Sequence, residues 1–292
     1  MTETSERRTN PNRGPAAGET LLVLGVTGSF GGAVAREWAG RGRPVRALVR
    51  DLATARTKIG RLGGIELVQG DVQDRTTMIA AATGTTAIVH GVNYPYPHWR
   101  PHMVTATENV VAAAKATGAT VLFPGNVYGL GRPGADGRPF REDMASRPVS
   151  RKGAIRVEME AALRVAAARG SMRAIVVRAG DYFGPTLRNE LVDPIFKAAL
   201  AGRAMQALGS LDISHQWVYL PDLARVSVDL LEHRAALSPF EVIHVGGQVA
   251  DPARAFHERV AAAAGTRSRP RRVPWSALRL IGLFRSVVRE LL

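Results

Sequence analysis

The stretch GVTGSFGG, residues 25–32, directly follows the apolar run Leu21-Leu22-Val23-Leu24. No other segment constrains the fold as strongly. Gly25, Gly28 and Gly31 repeat at every third residue, between a run that reads as a strand (20–25) and one that reads as a helix (31–40, with Val34 and Trp38 on one face). A glycine at the strand end permits a tight turn. A second lets the backbone approach a bound anion, and a third lets the helix pack close to the strand. The amides that open the helix then face the anion. Thr27, Ser29 and Phe30 fill the loop between the glycines.

The rest of the first half keeps the same alternation. Apolar runs at 44–49, 65–69, 85–91, 120–123 and 173–178 read as strands, and the stretches 74–82, 102–117 and 152–169 read as helices. Near-continuous apolar strands alternating with helices predict six or seven parallel strands covered on both faces, a doubly wound α/β sheet. After Arg178 the rhythm changes. Helices are expected near 190–201, 221–234 and 251–264, with a strand at 240–245, as a smaller C-terminal lobe over the carboxyl edge of the sheet. The expected division is a disordered leader over 1–18 and a dinucleotide-binding domain over 19–180, to which 215–250 partly returns. The substrate lobe and C-terminal helices take up 181–292. Residues 275–291 read as an amphipathic helix suited to packing or dimer formation, with a membrane-surface helix as the alternative.

Composition narrows the classes. The 292 residues contain no cysteine, which excludes disulfides and thiolate metal sites, and no spacing suits a metal or a serine nucleophile. The leader lacks a signal-peptide core and no apolar run is of membrane length, so a cytoplasmic protein without a membrane partner is expected. The formal charge is +14, but arginine outnumbers lysine 35 to 4, and residues 266–292 alone carry seven arginines against one glutamate. The excess therefore reads as a solvated surface rather than a nucleic-acid footprint.

The second strand ends in Arg50-Asp51, where a reader of the adenosine ribose belongs. Asp51 would accept from a 2′-hydroxyl, as NAD requires. Arg50, with Arg46, would pair with a 2′-phosphate, as NADP requires. NADP is the preferred expectation. Asp71 and Val72 close the third strand where an adenine would lie.

With these pieces in order, the chain resembles the extended or atypical short-chain dehydrogenase/reductase superfamily, the NAD-dependent epimerase/dehydratase group. The matching stretches are VLGVTGSFGG, VRALVRD, VQGDVQD, IVHGVN, TENVVAAAKATG, NVYG, VRAGDYFGP and WVYLPDLA, spread over residues 20–248. The resemblance implies a Rossmann-type fold, with Gly91, Val92, Asn93, Ala179 and Gly180 beside the nicotinamide half of the cofactor. It also implies a homodimer through the helices at 102–117 and 152–169.

The chain departs from the family at the chemistry. Pro124 and Gly125 stand where a serine or threonine is expected, leaving Asn126 as the polar candidate. Lys152 takes the place of the tyrosine in Tyr-x-x-x-Lys and Arg156 the place of the lysine. A buried lysine beside a second cation holds its proton less tightly, which makes Lys152 a candidate base. Arg156 would then hold the ribose or a phosphate; alternatively Lys152 and Arg156 both bind the anionic cofactor and no proton moves. Tyr128 is a second hydroxyl candidate. Tyr94, His98 and Trp99, in the aromatic loop NYPYPHW, and Asp181 and Tyr182 after the sixth strand are candidate substrate contacts. His215 is placed to meet a phosphate or carboxylate. The expected function is an NAD(P)-dependent oxidoreductase or epimerase-like protein acting on a small carbonyl, alcohol or sugar. A non-catalytic redox-sensing protein is the alternative.

Overall fold

The computed structural model describes residues 18–60, 64–95, 98–132, 139–187, 192–274 and 276. The expected leader up to residue 17, Tyr96, and the C-terminal amphipathic stretch apart from Ser276 lie outside the described residues.

Seven strands form one wholly parallel sheet. They are β1 (Leu21–Leu24), β2 (Val45–Val49), β3 (Ile65–Gln69), β4 (Ala87–His90), β5 (Thr120–Asn126), β6 (Arg173–Ala179) and β10 (Phe240–His244). Their order is β10-β6-β5-β4-β1-β2-β3. The chain winds outward in both directions from the β1/β4 pair. A cleft opens at such a switch point, above the carboxyl ends of the strands.

Strand geometry sends alternate side chains to opposite faces, and β1 shows it. Leu22 and Leu24 enter one core layer with Met103, Val110 and Phe123. Leu21 and Val23 enter the other with Val34, Trp38 and Val228. The first layer packs under helices α3 (Arg75–Ala82), α4 (Trp99–Thr117) and α5 (Arg151–Ala168), and the second under α1 (Ser29–Gly40) and α7 (Leu220–Glu232). Both faces being covered explains why the strands read as unbroken apolar runs.

Two elements differ from the expectation. A helix α2 (Leu52–Ile59) follows β2 where none was expected. Its sequence LATARTKI buries only Ala55 and carries little apolar periodicity, so its N-terminal cap defines it: Asp51 accepts from the Thr54 amide at 2.9 Å. The strand expected at 240–245 in the lobe is instead the edge strand of the main sheet, paired with β6 over Phe240–His244.

The lobe contains β7 (Asp181–Phe183), β8 (Met205–Ala207), β9 (His215–Tyr219), β11 (Gln248–Ala250) and β12 (Pro270–Arg272), with helices α6 (Asp193–Leu200) and α8 (Arg254–Ala263). Strands β11-β9-β7 form a small sheet and β12-β8 a ribbon. A third core holds them together, centred on Trp217 stacked on Phe256 at 4.0 Å.

Candidate functional site

The glycine loop is tighter than spacing alone implies. Gly25 has φ +75°, and a Cβ there would sit 2.3 Å from the Gly91 carbonyl oxygen. A Cβ on Gly31 would lie 2.6 Å from the Gly25 oxygen, and one on Gly91 2.7 Å from the Leu24 oxygen. Three backbones from β1, α1 and the end of β4 therefore touch at one point. Gly91 is required for this contact, which motif spacing within residues 25–31 does not reveal. Gly28 is the N-cap of α1 and its amide donates to the Gly25 oxygen at 2.9 Å. Ser29 lies in the first helical turn. Phe30 does too, but its side chain is buried in the core, so only its backbone faces the loop.

A cleft of about 300 Å³ opens directly above. Its floor is Gly25, Val26, Thr27 and Gly28, and one wall is Arg50, Asp51, Thr54 and Lys58. Asp71 and Val72, then Gly91, Val92, Asn93 and Tyr94, complete it. The positions chosen from sequence for the phosphate loop, the ribose reader, the adenine edge and the fourth-strand end thus converge. Lys58 was not among them, because α2 was not expected and nothing else would bring residue 58 back to β2.

The two ribose candidates differ in how they are engaged. Both oxygens of Asp51 serve α2: Oδ1 accepts from the Thr54 amide and Oδ2 from its hydroxyl at 3.1 Å. The backbone bond from Thr54 holds this carboxyl below the usual carboxylate range. Arg50 is exposed and its guanidinium lies 5.9 Å from the centre of the Tyr94 ring. Arg46 is at the other end of β2. It pairs with Glu66 at 2.9 Å and donates to the carbonyls of Ala81 and Thr83, so the expectation that it joins Arg50 is corrected.

Tyr94, expected to meet substrate, stands in this same cleft. Its hydroxyl accepts from Gln73 Nε2 at 2.9 Å, and its ring stacks on His102. Burial raises the phenol's proton affinity. Asp71 accepts from the Gln73 amide at 2.9 Å, which fixes the turn after β3. Trp99 is buried at the start of α4 and its indole donates to the Tyr94 carbonyl at 2.8 Å. His98 is exposed.

The residues standing at the family's catalytic positions gather at the end of β5. Asn126 Oδ1 accepts from the Tyr128 amide at 3.0 Å and caps the 3-10 turn Val127–Leu130, so its acceptor has a structural task. Lys152 is buried in the first turn of α5, which Ser150 caps, and its Nζ lies 5.6 Å from the centre of the Tyr128 ring. Gly153 lets the start of α5 approach the 3-10 turn, since a Cβ there would be 2.5 Å from the Tyr128 carbonyl oxygen. Arg156, one turn on, donates to the Pro124 carbonyl at 3.2 Å and lies against the rings of Trp99 and Phe123 at 4.9 and 5.2 Å.

Two buried groups near Arg156 were not singled out from sequence. His90, the last residue of β4, is fully buried and shares a 2.9 Å hydrogen bond with the Thr107 hydroxyl. Burial, with the Arg156 charge adding to it, pushes its imidazole down to about 3, so it is neutral at pH 7. Arg178, at the end of β6, pairs with Glu160 of α5 at 2.5 Å with both side chains largely buried. A Cβ on Gly125 would be 2.6 Å from Arg178 Cγ, so the glycine in the hydroxyl region makes room for this pair.

Ala179 is buried and Gly180 lies against Gln216, where a Cβ would meet its carbonyl at 3.3 Å. Beyond them, Asp181 and His215 form a 3.0 Å pair across β7 and β9, so the acid partner of His215 comes from this chain. Burial pushes the Tyr182 phenol up to about 12. Among the described residues no cluster of three His, Cys, Asp or Glu side chains is placed to hold a metal. No described helix is long and apolar enough to cross a membrane.

A parallel sheet with its switch point at β1/β4, and a glycine cradle below a cleft at that point, define a dinucleotide-fold protein of the Rossmann type. The NAD dependent epimerase/dehydratase family matches residues 21–246, and the chain belongs to that family.

Solved structures with the same fold include the UDP-glucose 4-epimerase of Brucella ovis in complex with NAD. It is 18% identical with a TM-score of 0.71, over 87% of this chain and 85% of that one. A dTDP-glucose 4,6-dehydratase double mutant from Streptomyces venezuelae, with NAD and DAU bound, is 19% identical with a TM-score of 0.72, over 87% and 84%. Epimerase Mth375 of Methanothermobacter thermautotrophicus is 18% identical with a TM-score of 0.75, over 88% and 80%.

Proposed function

We propose that the chain binds a nicotinamide dinucleotide, NADP in preference to NAD, in the cleft above Gly25–Gly28. We propose further that it acts as an epimerase/dehydratase-like oxidoreductase on a small carbonyl, alcohol or sugar. The observation that carries this reading is the three-glycine contact beneath the cleft, which keeps side chains out of the space a pyrophosphate would fill. The structures of similar fold that hold NAD support a nicotinamide dinucleotide in this cleft.

The NADP preference rests on the wall of the cleft. Arg50 and Lys58 set two cations against one carboxylate, and that carboxylate caps α2. A 2′-phosphate is a dianion that a guanidinium fork and an ammonium would both bind. When bound, the nicotinamide ring would supply a hydride acceptor or donor. The chain's own part is to orient substrate against it and to move a proton. Lys152 stands in the tyrosine place and carries that role in this reading, with the Tyr128 ring beside it. Arg156 would hold the ribose, and the substrate would lie between Asn93, Tyr128 and Asp181–Tyr182.

A non-catalytic, redox-sensing role is the second reading. Proline in the hydroxyl position favours it, and the Pro124 carbonyl there is occupied by Arg156.

Calorimetric titration of the full chain with NADPH and NADH tests the first claim. NADPH is expected to bind at least about tenfold more tightly, a preference of roughly 1.4 kcal/mol. Gly28→Asp should abolish binding of both. Arg50→Ala and Lys58→Ala should each weaken NADPH several-fold and leave NADH nearly unchanged. If neither cofactor binds, the reading falls. A carbonyl-substrate screen of wild type against Lys152→Ala then separates the two roles. Turnover lost in the variant means chemistry, whereas binding without turnover on any substrate means sensing.

A further inference from the structure

The C-terminal lobe carries charge and apolar surface in an arrangement that the cleft does not use. Residues 254–274 hold six arginines against one glutamate, Glu258. Arg254 pairs with Asp212. Arg203, Arg259, Arg267, Arg269, Arg271 and Arg272 are exposed, and none has a carboxylate partner among the described residues.

They are not scattered. Thr266 and Ser268 both donate to the Ala199 carbonyl, and the Met205 amide donates to the Arg269 carbonyl. Arg203, Arg267 and Arg269 are thereby drawn to the C-terminal end of α6. The β12 arginines sit beside β8 in the ribbon.

Apolar side chains are exposed on the same elements. Leu200, the last residue of α6, is 73% exposed, and Leu208, just past β8, is 45% exposed. A groove of about 360 Å³ runs between α6 and α8, lined by Phe196, Leu200, Phe256 and Val260 with Arg259 at its rim. An apolar groove with Arg259 at its rim, together with the exposed arginines of the neighbouring turns and of β12, matches a surface that is itself apolar within and anionic outside. Residues 275–292 add Arg279, Arg285 and Arg289 against Glu290 to the positive charge of this end of the sequence.

We infer that this face of α6, α8 and the β8/β12 ribbon docks on an anionic phospholipid bilayer. The aliphatic side chains enter the headgroup boundary and the arginines contact lipid phosphates. Such a face lies on the membrane and does not span it, so the lack of a spanning helix among the described residues does not bear on it. Nucleic acid is the less suitable anion. The exposed large apolar groups on this face are aliphatic, whereas single-strand binding uses aromatic platforms.

The test is flotation of the full-length protein with vesicles of phosphatidylcholine containing about 30% phosphatidylglycerol, against pure phosphatidylcholine, at low and high salt. Binding to the anionic vesicles alone, weakened by salt, is expected. Each arginine removed near the surface should lower the partition roughly fivefold, so Arg267→Gln/Arg269→Gln/Arg271→Gln together should lower it about a hundredfold. Leu200→Gln should lower it further. Unchanged NADPH affinity in these variants would show that their fold is intact; if wild type binds no cofactor, an unchanged thermal transition serves instead. The inference is overturned by equal binding to neutral vesicles, by no binding, or by a triple variant that binds like wild type. Tighter association with duplex DNA than with vesicles would also overturn it.

Discussion

A methyl group at Gly25 would have to occupy space already held by the Gly91 carbonyl, on a backbone of positive φ. Strain at such a position costs about 1–3 kcal/mol for a residue with a Cβ, before the clash is counted. Gly25→Ala is therefore expected to lower the urea midpoint by at least that equivalent and to weaken cofactor binding together with it. A variant of wild-type stability would show that the contact is not rigid. His90 supplies a second residue-scale prediction. Its folded-state pKa lies well below the ordinary histidine value of about 6.5. Below pH 6.5 the unfolded chain takes up a proton that the folded chain refuses, so stability falls as pH drops from 6.5 toward 3. The slope is at most about 1.4 kcal/mol per pH unit from this one group. Replacing the ring in His90→Gln should remove that part of the slope, read from urea unfolding at pH 7 and pH 5. Equal slopes in both proteins would mean that His90 is protonated when folded.

At the scale of elements, α2 separates the two ribose readers. Asp51→Ala removes its N-cap and is expected to cost about 1 kcal/mol of stability. If Arg50 and Lys58 read the ribose, the same variant should bind NADPH as well as wild type or better, because a negative charge has left the cleft. A large loss of NADH affinity alone would instead assign the hydroxyl to Asp51. Here the sequence was only partly legible. The strands of the sheet announce themselves because burial on both faces leaves runs such as LLVL and AIVVR. By contrast, α2 buries one alanine and offers no period to read, and Lys58 was lost with it. The fates of Asn126 and Arg46 were equally hidden. Each is a polar residue near a motif, and only tertiary contacts show that one caps a turn and the other braces the far end of β2.

At the scale of the whole molecule, the two helices over the second core layer, α1 and α7, are clamped together at the end of the sheet opposite the cleft. Glu232, the last residue of α7, holds Arg41 at 2.8 Å and Arg43 at 3.1 Å, and Arg43 lies 4.6 Å from the Trp38 ring. The Arg43 side chain is only 5% exposed, so Glu232→Ala would leave a buried cation without its carboxylate. A loss of about 3 kcal/mol is expected, with cofactor affinity at saturating stability unchanged. A loss confined to a few tenths would mean that solvent reaches the pair. Fold class was legible at this scale because strand–helix alternation is a property of the entire chain. The return of residues 240–244 to the sheet edge was only partly so, since its neighbour β6 is more than sixty residues away in sequence.

The meeting of Gly25, Gly31 and Gly91 also orders events during synthesis. The phosphate loop lies within the first thirty-two residues, yet its shape is fixed by a carbonyl at the end of β4. A nascent chain that has released β1 and α1 from the ribosome still lacks the third backbone. On the proposed reading, a dinucleotide therefore cannot seed the folding of this first strand–helix pair. It can be captured only after β4 has emerged and paired, so its arrival marks the completion of the first half of the sheet.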